Sequence, residues 1–178
     1  MQKRTAEGSM CDVCLVRKAD LSNLEDAAAL ILCLNAYLAD PMGGGQPPMG
    51  EEAAACVIAG LMKLPTSLVF VACFGAISVG VAVCFEGFST FSAMPLINIH
   101  DLVVVPRARH RGVGGALLKA IEKHAQTSGC CKMTLEVRAD NLAAQLLYAR
   151  FGFSAGSSPM AFWTKRIVPF GPVVHLSR

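Results

Sequence analysis

The sequence is poor in charged and aromatic residues. Of its 178 residues only 16% are charged and 7% are aromatic, whereas 53% are hydrophobic. So low a charged fraction is not typical of disordered chains, and a net charge of +3 is too small to indicate a polyanionic partner. Aromatic residues are not interleaved with basic ones, as they are in proteins that stack nucleic-acid bases. We therefore predict a globular protein that does not bind nucleic acid.

The first residues contain no apolar core segment, so we expect no secretory signal peptide and a cytoplasmic location. In that location we expect all eight cysteines to be reduced and buried. The cysteines also contain no second pair at zinc-finger spacing. Cys11 and Cys14 form a single Cys-x-x-Cys, and the adjacent Cys130 and Cys131 are poorly placed to share a metal. The cysteine spacing therefore predicts no metal site.

The length of the chain suits one domain with a substantial core. We predict a flexible leader over residues 1–10, a single domain over 11–170 and a C-terminal tail over 171–178. We also expect that removal of the first nine residues leaves the function unchanged.

Residues 64–85 form an uncharged run of 22 residues, which is also long enough for a membrane-spanning helix. Pro65 and the glycines at 75, 80 and 87 divide this run, and its many valines favour buried strands. Strands covered by helices on both faces of a sheet have such continuous apolar sequences. We therefore predict a hairpin with strands over about 68–73 and 76–85 and no membrane segment, with a membrane helix as the alternative.

Residue periodicity and turn signals predict the remaining elements. They give a strand near 13–17, a helix from a cap at Asp20 or Ser22 to about Leu38, a helix over about 51–63, a connection at 87–95, a strand over about 97–105, a helix over about 113–127, a half-buried strand at 131–137, a helix over about 141–150 and a last strand near 162–168. The glycine- and proline-rich loop at 40–48 is interpreted either as a mobile lid on the substrate side or as a plain connector.

The segment from Val105 to Leu118 carries the strongest functional signal. An apolar strand ends at Pro106, and a basic, glycine-rich turn then leads directly into an amphipathic helix. Such a turn directs several backbone N–H groups and the positive end of the helix dipole at one point. Three arginines add positive charge, and Gly112 and Gly114 leave room for a ligand to approach the backbone. The pattern predicts a pyrophosphate site, with a basic surface turn as the alternative.

The glycine spacing separates this site from other phosphate-binding turns. A P-loop needs Gly-Lys-Ser/Thr at the start of the helix, but here Gly115 is followed by Ala116. The glycines at 112, 114 and 115 also miss the Gly-x-Gly-x-x-Gly spacing of a dinucleotide site. The pattern Arg-x-x-Gly-x-Gly, from Arg109 to Gly114, follows a strand that ends in Val-x-Pro. It resembles the signature of the GNAT superfamily of N-acetyltransferases.

A second segment, residues 135–153, supports this resemblance. It consists of a strand, Asn141, a short helix and then Tyr-x-x-Phe-Gly-Phe beginning at Tyr148, and it is similar to the closing half of the GNAT core. In that core the asparagine and the tyrosine lie beside the pantetheine arm and the sulfur of coenzyme A. From the residues alone, Asn141 is equally well explained as a helix cap and Tyr148 as a core residue.

Segments 40–45, 85–91 and 95–102 further resemble a group of this superfamily whose layout is related to that of the diamine acetyltransferases. Those enzymes carry in the central strand a glutamate that contacts the amine, where this chain has His100. The resemblance therefore does not extend to diamine specificity.

The resemblance implies a mixed α/β fold of the GNAT type. We expect a central, mostly antiparallel, twisted sheet of about six to seven strands with helices on both faces, splayed between the strand at 97–105 and the strand at 131–137. It also implies an enzyme that uses acetyl-CoA as co-substrate, needs no metal, and acetylates a primary amine of a small molecule by direct attack in a ternary complex. The alternatives are a protein or peptide N-acetyltransferase and a non-catalytic acyl-CoA-binding domain, and a homodimer is possible.

Site residues follow from the same resemblance. We expect Tyr148 to protonate the departing thiolate and His100 to act as general base, unless it is a structural strand residue; Asp101 is a weaker base or an orienting group. The expected substrate contacts are Glu86, Phe91 and His100. The expected contacts to acetyl-CoA are Leu102, Val103, Val104, Arg109, His110, Arg111, Gly112, Val113, Gly114, Gly115, Asn141, Ala144 and Tyr148.

Overall fold

The computed structural model describes residues 13–156, 163–165 and 167 of the chain. The strands are β1 (Cys14–Lys18), β2 (Ser67–Phe74), β3 (Ile77–Ser89), β4 (Met94–Val104) and β5 (Lys132–Leu135). The helices are α1 (Leu24–Leu38), α2 (Glu51–Lys63), α3 (Val113–Thr127) and α4 (Leu142–Arg150), with short 3₁₀ turns at Pro41–Gly43 and Pro106–Ala108. The predicted leader and tail lie outside the described residues.

The five strands form one mixed sheet in the order β1-β2-β3-β4-β5. Neighbouring strands are antiparallel except β4 and β5, which are parallel and are connected through α3. The mixed sheet with helices matches the expected fold class.

The uncharged run at 64–85 forms a β-hairpin, as predicted. In it β2 pairs with β3 around a turn at Gly75, so that Val71 lies opposite Val81 and Val69 opposite Val83. The alternative of a membrane helix is wrong for this run, because its backbone hydrogen bonds are made within the sheet. No helix in the described part of the chain is long and apolar enough to cross a membrane.

The core lies between the sheet and its helices. The helix α3 contacts strands β1 to β5, and α1 contacts β2, β3 and β4. The most buried large side chains come from both helices and from the central strands: Leu30 and Cys33 of α1, Leu117, Leu118 and Ile121 of α3, and Val71, Val81 and Ile97 of the sheet. Because helices cover the central strands, these strands are apolar at nearly every position.

A buried carboxylate, that of Asp26, connects the start of α1 to β1 by hydrogen bonds. Asp26 is 2% exposed, and it accepts hydrogen bonds from the guanidinium of Arg17 and from the backbone N–H of Asp20. The helix cap is Asn23, whose Oδ1 accepts from the N–H of Glu25 at 2.8 Å. The predicted cap at Asp20 or Ser22 is therefore wrong, since the helix begins where its buried face can meet the sheet.

The loop between α1 and α2 folds back on the C-terminal end of α1. The Tyr37 hydroxyl donates to the carbonyl oxygen of Met42 at 3.3 Å, and Asn35 Oδ1 accepts from the N–H of Met49 at 2.9 Å. The loop contains a 3₁₀ turn that Asp40 caps. Where the sequence left a choice between a mobile lid and a plain connector, these bonds show a folded loop.

The number of strands is lower than expected. The prediction of six to seven strands included one near 162–168, but residues 163–165 and 167 are not in a strand and the rest of that range lies outside the described residues. The predicted connection at 87–95 is also wrong, because β3 continues to Ser89 and β4 begins at Met94. The backbones of β3 and β4 continue to pair beyond the buried apolar residues from which these strands were predicted.

All seven cysteines among the described residues are free thiols. Burial raises the pKa of Cys33 to about 11 and that of Cys84 to about 12, so both remain protonated at neutral pH. Cys56 on α2 is exposed, and the prediction that all thiols are buried is wrong for this residue.

Candidate active site

The sheet opens between β4 and β5, as expected. The two strands pair only over Leu96–Ile99 and Lys132–Leu135, after which β4 continues while the chain beyond Leu135 leaves the sheet. A cavity of about 170 Å³ lies at this opening. Its walls come from α1, β4, the segment after β5, and α4: Tyr37, Ile99, His100, Asp101, Leu102, Val103, Glu136, Val137, Arg138, Asn141, Ala144, Leu147 and Tyr148.

A β-bulge lies in β4 at the cavity. Asp101 lies opposite Val83, but the next pair is Ile99 with Cys84, which leaves His100 without an opposite residue on β3. An extra residue shifts the side-chain alternation by one position, and bulges are frequent next to active sites.

The bulge places two consecutive side chains on one face of the sheet. Asn98 lies opposite Phe85 and Asp101 opposite Val83, and those two β3 residues share a face because they are two positions apart. The His100 ring contacts the Phe85 ring edge-on, with 5.6 Å between the ring centroids. Both His100 and Asp101 therefore face the cavity, where the sequence motif predicted two chemically active residues.

The Asp101 carboxyl is partly buried, and burial raises its pKa above the ordinary value of 3.8, an effect that His100 partly offsets. A carboxylate with a raised pKa holds a proton more strongly than one in water, which makes it a better proton acceptor.

Tyr148 extends from α4 into the same cavity. Its ring packs edge-on against Phe153, with 5.9 Å between the centroids, and burial together with Tyr37 raises the pKa of its hydroxyl. The phenol therefore keeps its proton at neutral pH and is available as a hydrogen-bond donor or acid.

Tyr37 is a cavity residue that the sequence interpretation missed. The chain has only two tyrosines, and both line this cavity. The scarcity of tyrosine was the signal that would have drawn attention to it.

Asn141 caps α4, since its Oδ1 accepts from the N–H of Ala144 at 3.2 Å. Asn141 and Ala144 also line the cavity. The helix-cap interpretation is therefore correct, and a contact to coenzyme A stays a prediction beside it.

The predicted phosphate turn connects β4 to α3. After the 3₁₀ turn at Pro106–Ala108 the chain passes through positive φ at His110 (φ 60°) and Gly112 (φ 81°), and α3 begins at Val113. A side chain at Gly112 would have space, so glycine is favoured there by its backbone conformation. The N-terminus of α3 has no side-chain cap. The first N–H groups of a helix have no acceptor within it, so those at 113–115 suit an anion.

Gly114 has a packing role that the sequence did not reveal. A Cβ atom at this position would lie 2.9 Å from Cδ2 of Leu147 on α4 and 3.7 Å from Cδ2 of Leu102 on β4. Glycine thus permits α4, the helix of Tyr148, to pack closely on the start of α3. The predicted role in ligand approach remains a prediction.

Two arginines of the turn contact other parts of the protein. The Arg109 guanidinium donates to Asp40 Oδ2 at 2.8 Å and to the carbonyl oxygen of Val104 at 3.2 Å. The Arg111 guanidinium lies 4.1 Å from the centroid of the Phe74 ring. His110 is exposed.

Two predicted substrate residues do not reach the cavity. Glu86 follows Phe85 on β3 and therefore faces the other side of the sheet, where its Oε1 lies 3.4 Å from Nε2 of His124 on α3. Phe91 is fully exposed in the turn between β3 and β4. Of the three predicted substrate contacts only His100 lines the cavity. The prediction for the other two followed sequence proximity rather than the alternation of side chains along a strand.

Within the described ranges, no group of three or more His, Cys, Asp or Glu side chains is placed to hold a metal ion.

The model of the acetyltransferase (GNAT) family matches residues 35–153, which include both the cavity and the turn before α3. The chain belongs to the GNAT family. Membership of this family supports an acyltransferase enzyme, and the family generally uses acetyl-CoA.

Relatives agree with this assignment. Over 75 residues the chain is 35% identical to the uncharacterized N-acetyltransferase YhfO of Bacillus subtilis (strain 168), a match that covers 42% of this chain and 50% of YhfO. The chain thus spans about half the length of this curated relative.

Solved structures share the fold. A probable acetyltransferase has a TM-score of 0.72 at 20% identity, with 87% of this chain and 99% of that chain covered. The aminoglycoside acetyltransferase meta-AAC0020, from an uncultured soil metagenomic sample, has a TM-score of 0.68 at 20% identity, with 86% and 96% covered. At this level of identity the likeness concerns the fold.

Proposed function

We propose that the GNAT protein described here transfers the acetyl group of acetyl-CoA to a primary amine of a small molecule. The observation that supports this most strongly is the placement of Tyr148, His100 and Asp101 in one cavity where β4 and β5 separate. Cδ2 of Leu147, a wall residue of this cavity, lies 2.9 Å from the position that a Cβ atom at Gly114 would take, so the cavity adjoins the start of α3.

The residues present fit a donor that carries a diphosphate. The start of α3 offers backbone N–H groups at 113–115 without a side-chain cap, together with the positive end of the helix dipole. A diphosphate placed there satisfies donors that otherwise depend on water.

The pantetheine arm fits the opening of the sheet. Beyond Ile99 the β5 side of β4 has no strand partner among the described residues, so its backbone groups are available to the amides of an extended ligand. Leu102, Val103, Val137 and Ala144 give this opening an apolar wall. When bound, acetyl-CoA supplies an activated acetyl thioester. A backbone N–H from residues 102–104 of β4 is suited to bind the carbonyl oxygen as it gains charge.

His100 and Asp101 are proposed to take the proton of the amine. An alkylamine with a pKa near 10.4 is mostly protonated at pH 7, and its deprotonation costs roughly 4–5 kcal/mol. A basic group on the cavity wall offsets part of this cost by accepting the proton directly or through one water molecule. His100 lies on the cavity wall as the first acceptor, and the raised pKa of Asp101 makes Asp101 a second acceptor beside it.

Tyr148 is proposed to return a proton to the departing sulfur. Its hydroxyl is held in the cavity by the packing of its ring, and its raised pKa keeps it protonated at neutral pH. The ordinary pKa values of thiols and phenols are close, and the raised pKa of Tyr148 makes transfer of its proton to an alkyl thiolate moderately uphill.

The carboxylates on the cavity wall favour a cationic acceptor. Asp101 and Glu136 can attract an ammonium group, while Arg138 on the same wall is paired with Asp140. The fold neighbour meta-AAC0020 is an aminoglycoside acetyltransferase, which agrees with a small-molecule acceptor.

A protein or peptide acceptor is the second candidate. Phe88, Phe91 and Met94 are exposed around the turn between β3 and β4, and exposed apolar side chains of this kind are suited to contact an unfolded peptide. A small amine remains the first candidate, because these residues do not line the cavity.

Turnover with a panel of acceptors tests the proposal. The purified protein is incubated with acetyl-CoA and, in separate reactions, with polyamines, aminoglycosides, amino acids and peptides, and acetylated products are identified by mass spectrometry. We expect at least one small primary amine to be acetylated at nitrogen. Acetylation of peptides alone would favour the second candidate, and coenzyme A binding without turnover of any amine would contradict both.

A further inference from the structure

Asp40 connects two loops that are far apart in the sequence. Its Oδ1 accepts from the N–H of Met42 at 2.8 Å, which fixes the 3₁₀ turn after α1, and its Oδ2 accepts from the Arg109 guanidinium at 2.8 Å. Only 11% of the Asp40 side chain is exposed, against 41% of the Arg109 side chain. Both hydrogen bonds lower the pKa of Asp40, so the carboxylate is ionised at neutral pH.

The contact with Asp40 defines the orientation of Arg109. A free arginine side chain adopts many rotamers, and fixing it costs conformational entropy. Here the guanidinium is held on one side by Asp40 and on the other by the carbonyl oxygen of Val104, at the end of β4. Arg109 lies three residues before Gly112, so the same contacts limit the conformations of the turn that leads into α3.

The other end of this connection reaches the cavity. Met42, whose N–H is bound by Asp40, accepts a hydrogen bond at its carbonyl oxygen from Tyr37, a wall residue of the cavity. Asp40 therefore lies between the α1–α2 loop and the turn before α3. Ion pairs at partly exposed sites contribute little to stability. We therefore expect the pair of Asp40 and Arg109 to affect the position of the Arg109 side chain more than the stability of the protein.

We propose that Asp40 is a positioning residue, which holds Arg109 and the turn before α3 in the conformation that binds the diphosphate of acetyl-CoA. The inference rests on the proposed function. It assigns a role in donor binding to a residue of the α1–α2 loop, outside the turn itself.

The test compares two donors in the variant Asp40→Asn. Asparagine keeps the shape of the side chain and one carbonyl oxygen for Met42, but its amide nitrogen cannot accept from Arg109. We expect the KM for acetyl-CoA to rise roughly two- to fivefold, the range that a partly exposed ion pair supports. The KM for acetyl-pantetheine, which lacks the diphosphate, is expected to stay unchanged. No change with acetyl-CoA, or an equal change with both donors, would overturn the inference.

Asp20→Asn is the matched control. Asp20 and Asp40 lie before and after α1, a helix about 22 Å long, so the control removes one carboxylate charge from the other end of the helix. We expect Asp20→Asn to have the wild-type KM for acetyl-CoA. A rise equal to that of Asp40→Asn would show an effect of net charge and contradict the inference.

Variants of Arg109 test whether Asp40 acts through this residue. In the double variant Asp40→Asn, Arg109→Gln the KM for acetyl-CoA should equal that of Arg109→Gln alone, whereas multiplied effects would show independent roles. If Asp40→Asn does not fold, Arg109→Lys takes its place, since lysine keeps the charge but cannot bind Asp40 and Val104 in the same geometry. We expect it to raise the KM for acetyl-CoA alone. If the wild-type protein has no affinity for coenzyme A, the proposed function is rejected. If the wild type binds coenzyme A but Asp40→Asn has the wild-type KM for acetyl-CoA, only this inference is rejected.

Discussion

A single β-bulge brings the side chains of His100 and Asp101 into the same cavity. Consecutive residues of a regular strand face opposite sides of the sheet, but the bulge at His100 brings both side chains to the cavity. Sequence analysis identified both residues, because they lie in the strand before the motif. The bulge itself was not predictable, since it depends on the register with β3 and leaves no mark on the apolar pattern of β4.

The variant Asp101→Asn should stabilise the protein and impair its reaction. A pKa raised in the folded state means that ionisation of Asp101 opposes folding; this cost is absent below the ordinary value of 3.8 and grows as the pH rises through the raised value. Asparagine removes the charge, so we expect a higher Tm than that of the wild type at pH 8 and an equal Tm below pH 3.8.

Thermal denaturation of both proteins across this pH range checks the expectation. Acetyl transfer by Asp101→Asn should fall by a factor on the order of 10 to 100, as expected for loss of one partner in proton acceptance. A lower Tm at pH 8 would mean that the carboxylate makes a stabilising contact in the folded state, and the assignment would fail.

The variant Tyr148→Phe tests the proton donor. The change removes one hydroxyl but retains the ring that packs on Phe153. We expect kcat to fall by about 100-fold while the affinity for coenzyme A stays the same, measured by steady-state kinetics and by calorimetry.

Tyr37→Phe is the matched comparison, because it removes the other tyrosine hydroxyl of the cavity. That hydroxyl already donates to Met42, so we expect a much smaller loss of kcat than for Tyr148→Phe. Unchanged turnover in Tyr148→Phe would contradict the assignment of Tyr148 as the proton donor.

At the scale of elements, the sequence predicted helices and buried strands well. The helices at 51–63 and 113–127 have the expected bounds, because a glycine precedes each of them and Pro65 or Gly129 follows closely. The extension of β3 and β4 around Phe91 was missed, since these residues pair through the backbone while their side chains lie outside the core. The periodicity of apolar residues indicates which parts of a strand are buried, so it does not detect the exposed end of a strand.

We proposed that the start of α3 binds the donor, and the variant Gly112→Ala tests this proposal. Gly112 has a φ of 81°, which alanine adopts only at a cost of about 1–2 kcal/mol. We expect both a lower free energy of unfolding and a weaker affinity for coenzyme A, because the turn relaxes toward another conformation.

Gly129→Ala provides a matched control at the other end of α3. Gly129 has a φ of 68°, and a Cβ there would also meet no atom within 4 Å. Chemical denaturation should show a similar loss of stability in both variants, whereas calorimetry should show a loss of affinity only in Gly112→Ala. Equal affinities in the two variants would contradict a phosphate site at the turn before α3.

At the scale of the whole molecule, the fold class was predictable because the two sequence motifs belong to the two segments that flank the opening of the sheet. The strand that ends before Pro106 and the segment ending in Tyr148 lie on either side of the cavity. Contacts between distant segments were not predictable: the ion pair between Asp40 and Arg109 joins residues 69 positions apart. Glu86 was misplaced because the face of a central strand depends on the whole sheet.

We propose that the start of α3 binds the diphosphate of coenzyme A while the opening of the sheet holds the thiol arm. Isothermal titration calorimetry of the folded protein with coenzyme A is the decisive measurement, with pantetheine as the ligand that lacks the diphosphate. We expect one site with a Kd for coenzyme A on the order of 1–100 μM and far weaker binding of pantetheine. Folded protein that binds neither ligand, or both equally well, would contradict it.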